Sequence, residues 1–248
     1  MADILIQIEG LRKTYRGADK PALVGIDLEV EAGSVFGLLG PNGAGKTTTI
    51  SILCTLLRPS AGRVRVLGYD IERQAAEVRR RIGLVPQDIA LYPSLTLREN
   101  LTYFARLHRI PRSEIAPRID ACLEMVGLAE AAGQRVETYS GGMKRRANLA
   151  AGILHRPALL FLDEPTVGID AQSRRLILER LTELKRDGMT LVYTSHYMEE
   201  VQQICDRLAI IDAGRVIASG SPQQLVADTG CANLEELFLN LTGKQLRE

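Results

Sequence analysis

A chain of 248 residues with 46% hydrophobic content can bury one sizeable core, with room for subdomains. Its 31 basic and 30 acidic side chains leave a net charge of +1, without the basic excess expected of a nucleic-acid binder, so no nucleic-acid partner is predicted. No run approaches the ~20 apolar residues of a membrane span. The start, Met1-Ala2-Asp3-Ile4, lacks the basic region of a signal peptide, and Cys54, Cys122, Cys205 and Cys231 form no C-x-x-C pair, which points to buried thiols in a cytosolic protein.

In chain order, Ile4, Ile6 and Ile8, then Val24, Ile26, Leu28 and Val30, alternate as half-buried antiparallel strands do, and are expected to flank the strand that follows. Ser34 to Leu39 is apolar without alternation, the mark of a parallel strand buried on both faces. It runs into Gly40-Pro41-Asn42-Gly43-Ala44-Gly45-Lys46-Thr47-Thr48, which fits the phosphate-loop pattern G-x-x-x-x-G-K-[ST]. Gly43 and Gly45 let successive backbone N–H groups converge on a phosphate. Thr47 to Leu57 reads as a helix with Ile50, Leu53, Cys54 and Leu57 on one face, its N-terminus adding positive potential beneath the phosphates. Lys46 would span the β- and γ-phosphates and the Thr47 hydroxyl would ligate Mg²⁺. Val64, Val66 and Gly68 suggest another half-buried strand.

From about Asp88 to Arg156 the period becomes helical, with Leu97, Leu101, Phe104 and Leu107 sharing one face and Ile115, Ile119, Leu123 and Val126 another. This inserted segment carries a second glycine cradle, Tyr139-Ser140-Gly141-Gly142-Met143. Ser140 suits an N-cap, and Gly141 and Gly142 leave backbone donors exposed at the start of a helix to Leu154. Lys144, Arg145 and Arg146 follow where a helix disfavours cations, so some should pair with acids or a partner subunit. One triphosphate does not need two cradles from one chain, so the second makes sense over a nucleotide held by another copy or a paralogue.

The buried strand Ala158 to Leu162 ends in Asp163 and Glu164, adjacent acids that are costly in a core unless they meet a cation or water. At the carboxyl edge of an open α/β sheet they lie where ligands bind. Asp163 is the candidate for holding Mg²⁺, and Glu164 for orienting or deprotonating the attacking water. Thr190 to Thr194 forms a further strand, and His196 follows it. Leu208 to Ile211, Ala213-Gly214 and Arg215 to Ala218 read as a hairpin. Leu234, Leu237, Phe238 and Leu241 form a core-packing stripe in the tail. His108 and His155 read as ordinary helix or loop residues.

Taken together these motifs resemble the ATP-binding-cassette (ABC) ATPases, and the resemblance runs through the chain. It implies a P-loop NTPase of the α/β class, with a RecA-like parallel-sheet core, an antiparallel β subdomain and an inserted helical subdomain. The single domain 1–248 then divides into a core at 1–87 and 157–220, a helical part at 88–156 and a tail at 221–248. By resemblance Gln87 reaches Mg²⁺ and the lytic water, His196 holds the γ-phosphate and water in register, and Tyr15 stacks on adenine. Asp170 matches the loop acid that crosses a dimer interface, and equally suits the N-cap of a helix from Ala171 to Lys185. The family usually has leucine and glutamine where Tyr139 and Met143 stand; Ser140 and Gly142, which face phosphate, are unaltered.

One cassette without a span is similar to the detached ATP-binding subunit of a transporter. That implies ATP and Mg²⁺ as cofactors, a second copy or paralogue and a separate transmembrane permease as partners, and a peripheral place on the cytoplasmic side of the membrane. The second cradle, Thr166 to Asp170, Ser195 to Glu200 and the tail Asn233 to Phe238 are similar to the drug- and polysaccharide-exporting ABC-2 branch. A soluble ABC ATPase of assembly is the alternative; a sensor without turnover is weakened by Lys46, Glu164 and His196.

Overall fold

The computed structural model describes residues 3–195 and 197–243; His196, an expected catalytic residue, lies outside the described residues. Among the described residues the strands and α-helices follow in this order: β1 Ile4–Lys13, β2 Leu23–Glu31, β3 Val35–Leu39, α1 Lys46–Leu53, β4 Ala61–Val66, β5 Tyr69–Asp70, α2 Ala75–Arg81, β6 Ile82–Val85, α3 Leu97–Leu107, α4 Arg112–Met125, α5 Gly141–Ile153, β7 Leu159–Asp163, α6 Ala171–Arg186, β8 Thr190–Thr194, α7 Met198–Ile204, β9 Arg207–Asp212, β10 Arg215–Gly220, α8 Pro222–Thr229 and α9 Leu234–Thr242. They build a six-stranded sheet, order β10-β9-β3-β8-β7-β6, and a separate four-stranded sheet, order β2-β1-β4-β5. In the first, β9, β3, β8, β7 and β6 run parallel and β10 closes the edge as an antiparallel hairpin through Ala213-Gly214, both at positive φ.

The expectation that the first antiparallel strands flank β3 is corrected here: its neighbours are β8 and β9. The reason lies in its side chains. A strand whose five residues are all buried needs cover on both faces, and parallel neighbours fed by crossover helices supply it. The antiparallel sheet covers one face instead.

Alternation along the parallel strands sorts residues into two cores. Phe36, Leu38, Leu159, Phe161, Val192, Ala209 and Ile211 face α1 and the antiparallel sheet. Val35, Leu39, Leu160, Leu162, Leu191, Tyr193, Leu208 and Ile210 face the helices. α1 stops at Leu53, short of Leu57, because Thr55 turns to φ 61; Leu57 still packs on the core from the turn beyond. In α3 the buried stripe is Leu97, Asn100, Leu101 and Ala105, whereas Leu107, expected inside, is 62% exposed at the helix end. In the tail Leu234, Leu237 and Phe238 are buried and Leu241 turns outward. Cys54, Cys122 and Cys205 are buried thiols and Cys231 is half-buried.

His108 and His155 do more than fill space. Their rings stack at 3.8 Å between centroids, 9° from parallel, and His155 Nε2 lies 2.8 Å from the Ile82 carbonyl oxygen. This pins the ends of α3 and α5 to the start of β6. Burial, then the charges of His108 and Arg118, pull the His155 pKa down to about 4 against the pull of Ile82. The folded protein therefore favours neutral His155. Its contribution is whole above the unfolded value near 6.5 and is lost as pH falls from there to about 4, by roughly 3 kcal/mol at most. Denaturant titrations at pH 7.5 and 4.5 should show a smaller acid loss for His155→Gln than for the unaltered chain.

Candidate functional site

The carboxyl ends of β3, β8, β7 and β6 are adjacent in the sheet, so the loops leaving them meet at one edge. There a cleft of about 490 Å³ is lined by residues 41–48 of the first glycine loop together with Gln87, Glu164 and Val167. Gly45, the N-cap of α1, holds φ 111, and a Cβ there would come within 2.5 Å of Leu23 Cδ2, so glycine is required on both counts. The loop ends at the N-terminus of α1, where unpaired helix donors favour an anion, while the Ala44 N–H is held within the loop by the Pro41 carbonyl at 3.1 Å.

Lys46 is 5% exposed, and its Nζ donates to the Gly40 and Pro41 carbonyls at 2.7 and 3.3 Å. Burial lowers its pKa, and the charges of Glu164 and Asp163 oppose that. Asp163 accepts from Thr194 Oγ1 at 2.8 Å and from the Thr47 side chain; burial raises its pKa against those bonds and the Lys46 charge. Glu164 sits at φ 49, a strained backbone for a non-glycine residue, with its N–H donated to Thr194 Oγ1 at 2.9 Å. Gln87 Nε2 donates to Glu164 Oε2 at 3.0 Å. Tyr15 lies beside the loop, its ring 43% exposed, its hydroxyl 3.1 Å from Thr48 Oγ1 and the Lys13 ammonium 5.5 Å from the ring centre.

Thus Lys46, Thr47, Gln87 and Glu164 line the cleft, and Asp163 and Tyr15 join it through Thr47 and Thr48 of the loop, whereas Ser140, Gly141 and Gly142 lie outside it. Ser140 caps α5, its Oγ accepting from the Met143 N–H at 3.2 Å. Gly141 is exposed, but Gly142 is buried where a Cβ would lie 2.1 Å from Ser173 Oγ and 3.0 Å from Asp170 Oδ2. Asp170 in turn caps α6 by accepting from the Ser173 N–H at 2.8 Å. The two caps are therefore packed together. Tyr139 is 4% exposed and its hydroxyl donates to the Ala131 carbonyl at 2.7 Å, while Met143 packs on the helical core.

Two of the three α5 cations meet backbone oxygens rather than acids of this chain. Arg146 donates to the Val126 and Gly127 carbonyls at 2.8 and 3.0 Å, where the end of α4 is electronegative. Arg145 donates to the Gln87 carbonyl. One turn further, the buried Asn148 donates to the Pro86 carbonyl at 3.1 Å and accepts from the Ala90 N–H at 3.1 Å. Sequence reasoning overlooked Asn148 and Thr194. A polar residue in an otherwise apolar helix stripe, and one at the end of an apolar strand, were the available signals.

The chain matches the family described as ABC transporter over residues 23–167. It is similar to the linearmycin resistance ATP-binding protein LnrL of Bacillus subtilis (strain 168), 48% identical over 95% of this chain and 75% of that one. It is also similar to the Nod factor export ATP-binding protein I of Cupriavidus metallidurans, 42% identical over 93% of this chain and 76% of that one. Among solved structures, a dimeric post-hydrolysis ATP-binding cassette bound to ADP and Pi superposes with a TM-score of 0.80 at 26% identity, covering 87% of this chain and 98% of its own.

Thr194→Val keeps the shape of a fully buried side chain but removes the acceptor for Glu164 N–H and the donor to Asp163. Turnover of ATP should fall by about tenfold or more while nucleotide affinity stays within about threefold. Steady-state hydrolysis beside fluorescent-nucleotide titration checks both.

Proposed function

The chain belongs to the ABC transporter family, and from that premise we propose that two copies, or this chain and a paralogue, close around two ATP molecules to drive a membrane exporter. It is an ATPase subunit: it binds ATP and hydrolyses it to ADP and phosphate to power transport. The observation that carries the sandwich reading is the separation within one chain between the cleft holding Lys46, Gln87 and Glu164 and the second cradle outside it. Each nucleotide would lie between the first loop of one copy and Ser140 of the other, with Asp170 crossing the seam.

Under this proposal each residue has a role. Lys46 and backbone N–H groups of the loop and the start of α1 bind the phosphates, and the exposed Tyr15 ring offers a stacking face to adenine. Hard oxygen donors at Thr47, Asp163 and Gln87 suit Mg²⁺, which keeps several waters and shares itself between a carboxylate and phosphates. Asp163, buried yet bonded to the Thr47 side chain, fits that group. A bound magnesium ion would supply charge neutralisation on the β- and γ-phosphates. Glu164 orients the attacking water and accepts its proton, steered by the Gln87 amide now bonded to it; His196 holds the γ-phosphate end.

Export is the favoured direction because relatives named for resistance and for Nod factor export span nearly all of this chain. No helix among the described residues is long and apolar enough to cross a membrane, so a separate permease would contact the cargo. Its docking face would be the surface beside Gln87, where Tyr92 and Tyr103 are 47% and 45% exposed and meet edge to face at 5.2 Å. In this reading the chain is a peripheral subunit on the cytoplasmic side of the membrane.

Glu164→Gln should bind ATP, lose steady hydrolysis and accumulate as an ATP-dependent dimer in size-exclusion chromatography with light scattering. A variant that binds ATP yet remains monomeric at every concentration would overturn the sandwich. Purification of the tagged chain from detergent-solubilised membranes should bring down a subunit with several apolar spans.

A further inference from the structure

We propose that Glu200 and Arg174 are a positioning pair that transmits docking of a second copy at Asp170 to the backbone of Glu164 and to the residues on either side of position 196. The proposal rests on the sandwich reading above.

Glu200, on α7, is 3% exposed, and its Oε2 accepts from three hydroxyls: Tyr193 at 2.5 Å, Ser195 at 2.7 Å and Thr166 at 2.9 Å. These belong to the end of β8, the loop before α7 and the loop just beyond Glu164. A carboxylate is costly to bury unless it is paired and bonded, so this one holds its donors together. Glu164, strained at φ 49, is fastened on its amino side by Thr194; Thr166, two residues on, is fastened by Glu200. Ser195 Oγ also accepts from the Tyr197 N–H at 2.9 Å, so both chain neighbours of position 196 belong to the cluster.

The other oxygen is arranged differently. Glu200 Oε1 faces Arg174 Nε at 3.4 Å, and both atoms are buried without a hydrogen-bond partner among the described residues. A slight rotation would complete a charge-assisted bond. Arg174 is held one turn into α6, its N–H on the Asp170 carbonyl at 3.0 Å, and its guanidinium lies 4.1 Å from the Tyr197 ring centre. Pressure on the Asp170 end of α6 therefore moves the group that faces Glu200. Neither residue lines the nucleotide cleft, so both act through others.

The test measures hydrolysis against ATP concentration, with melting temperature, for full-length Arg174→Ala, Arg174→Lys and Glu200→Gln, and dimerisation of each in the Glu164→Gln background. Arg174→Ala and Glu200→Gln should lose about tenfold in kcat with KM for ATP within about twofold, and their ATP dependence should flatten toward a Hill coefficient of one. Arg174→Lys should recover part of both. Unchanged kcat and steepness in folded Arg174→Ala, whose side chain is 32% exposed, would overturn the proposal, as would kcat losses that merely follow the unfolded fraction. Arg174→Ala decides the matter if Glu200→Gln does not fold. A Glu164→Gln protein that never dimerises would instead sink the sandwich reading, and is seen separately.

Discussion

Two carboxylates and an ammonium, each no more than 7% exposed, meet at the carboxyl edge of the parallel sheet, and the rest of the chain is arranged to make that tolerable. Charges withdrawn from water need partners in fixed places. Lys46 takes carbonyls of its own loop, Asp163 takes hydroxyls from Thr47 and Thr194, and Glu164 takes the Gln87 amide. The charges and their partners come from the ends of β7 and β8 and from the stretches that follow β3 and β6, and the order of those strands in the sheet is what lets four distant stretches of chain supply one site. The same withdrawal strengthens every electrostatic term that a developing phosphoryl charge would feel.

The helical part is bound to this edge by polar contacts as well as by apolar packing. Asn148 behaves like a neighbouring strand toward residues 86–90, giving and receiving hydrogen bonds along them, and Arg145 takes the Gln87 carbonyl. Since α5 is a rigid rod starting at Ser140, its orientation and that of Gln87 are set jointly. Glu200 does the corresponding work on the opposite flank, between α6 and the loops beyond β7 and β8.

Much of this was legible in the residues. An unbroken apolar run before Gly40 and another before Asp163 fit strands covered on both faces, and acids or glycines at such ends fit a sheet edge. The expected fold class of parallel core, antiparallel β part and helical insertion is the one found. Strand neighbours were not legible. Ile4 to Ile8 and Val24 to Val30 declare one buried face each, but not which sheet that face lies against. Leu107 fits the helical stripe by spacing and is nonetheless exposed, because a helix end can outrun its neighbour. Thr194 and Asn148 gain meaning from partners 30 and 62 positions away in sequence, and Glu200 from a strand end and two loops at once. Polar residues of that kind look in sequence like interruptions of an apolar pattern.

Gly142 has one further consequence. Its hydrogen sits where a methyl group would strike Ser173 within the same chain, so a side chain there would wedge the starts of α5 and α6 apart before a second molecule arrived. Ser140 and Asp170 would tilt together, and a damaged seam would be inherited from a misfitted protomer. Failure of association in such a variant would be a lesion of tertiary packing, displayed at a distance as a lesion of quaternary assembly.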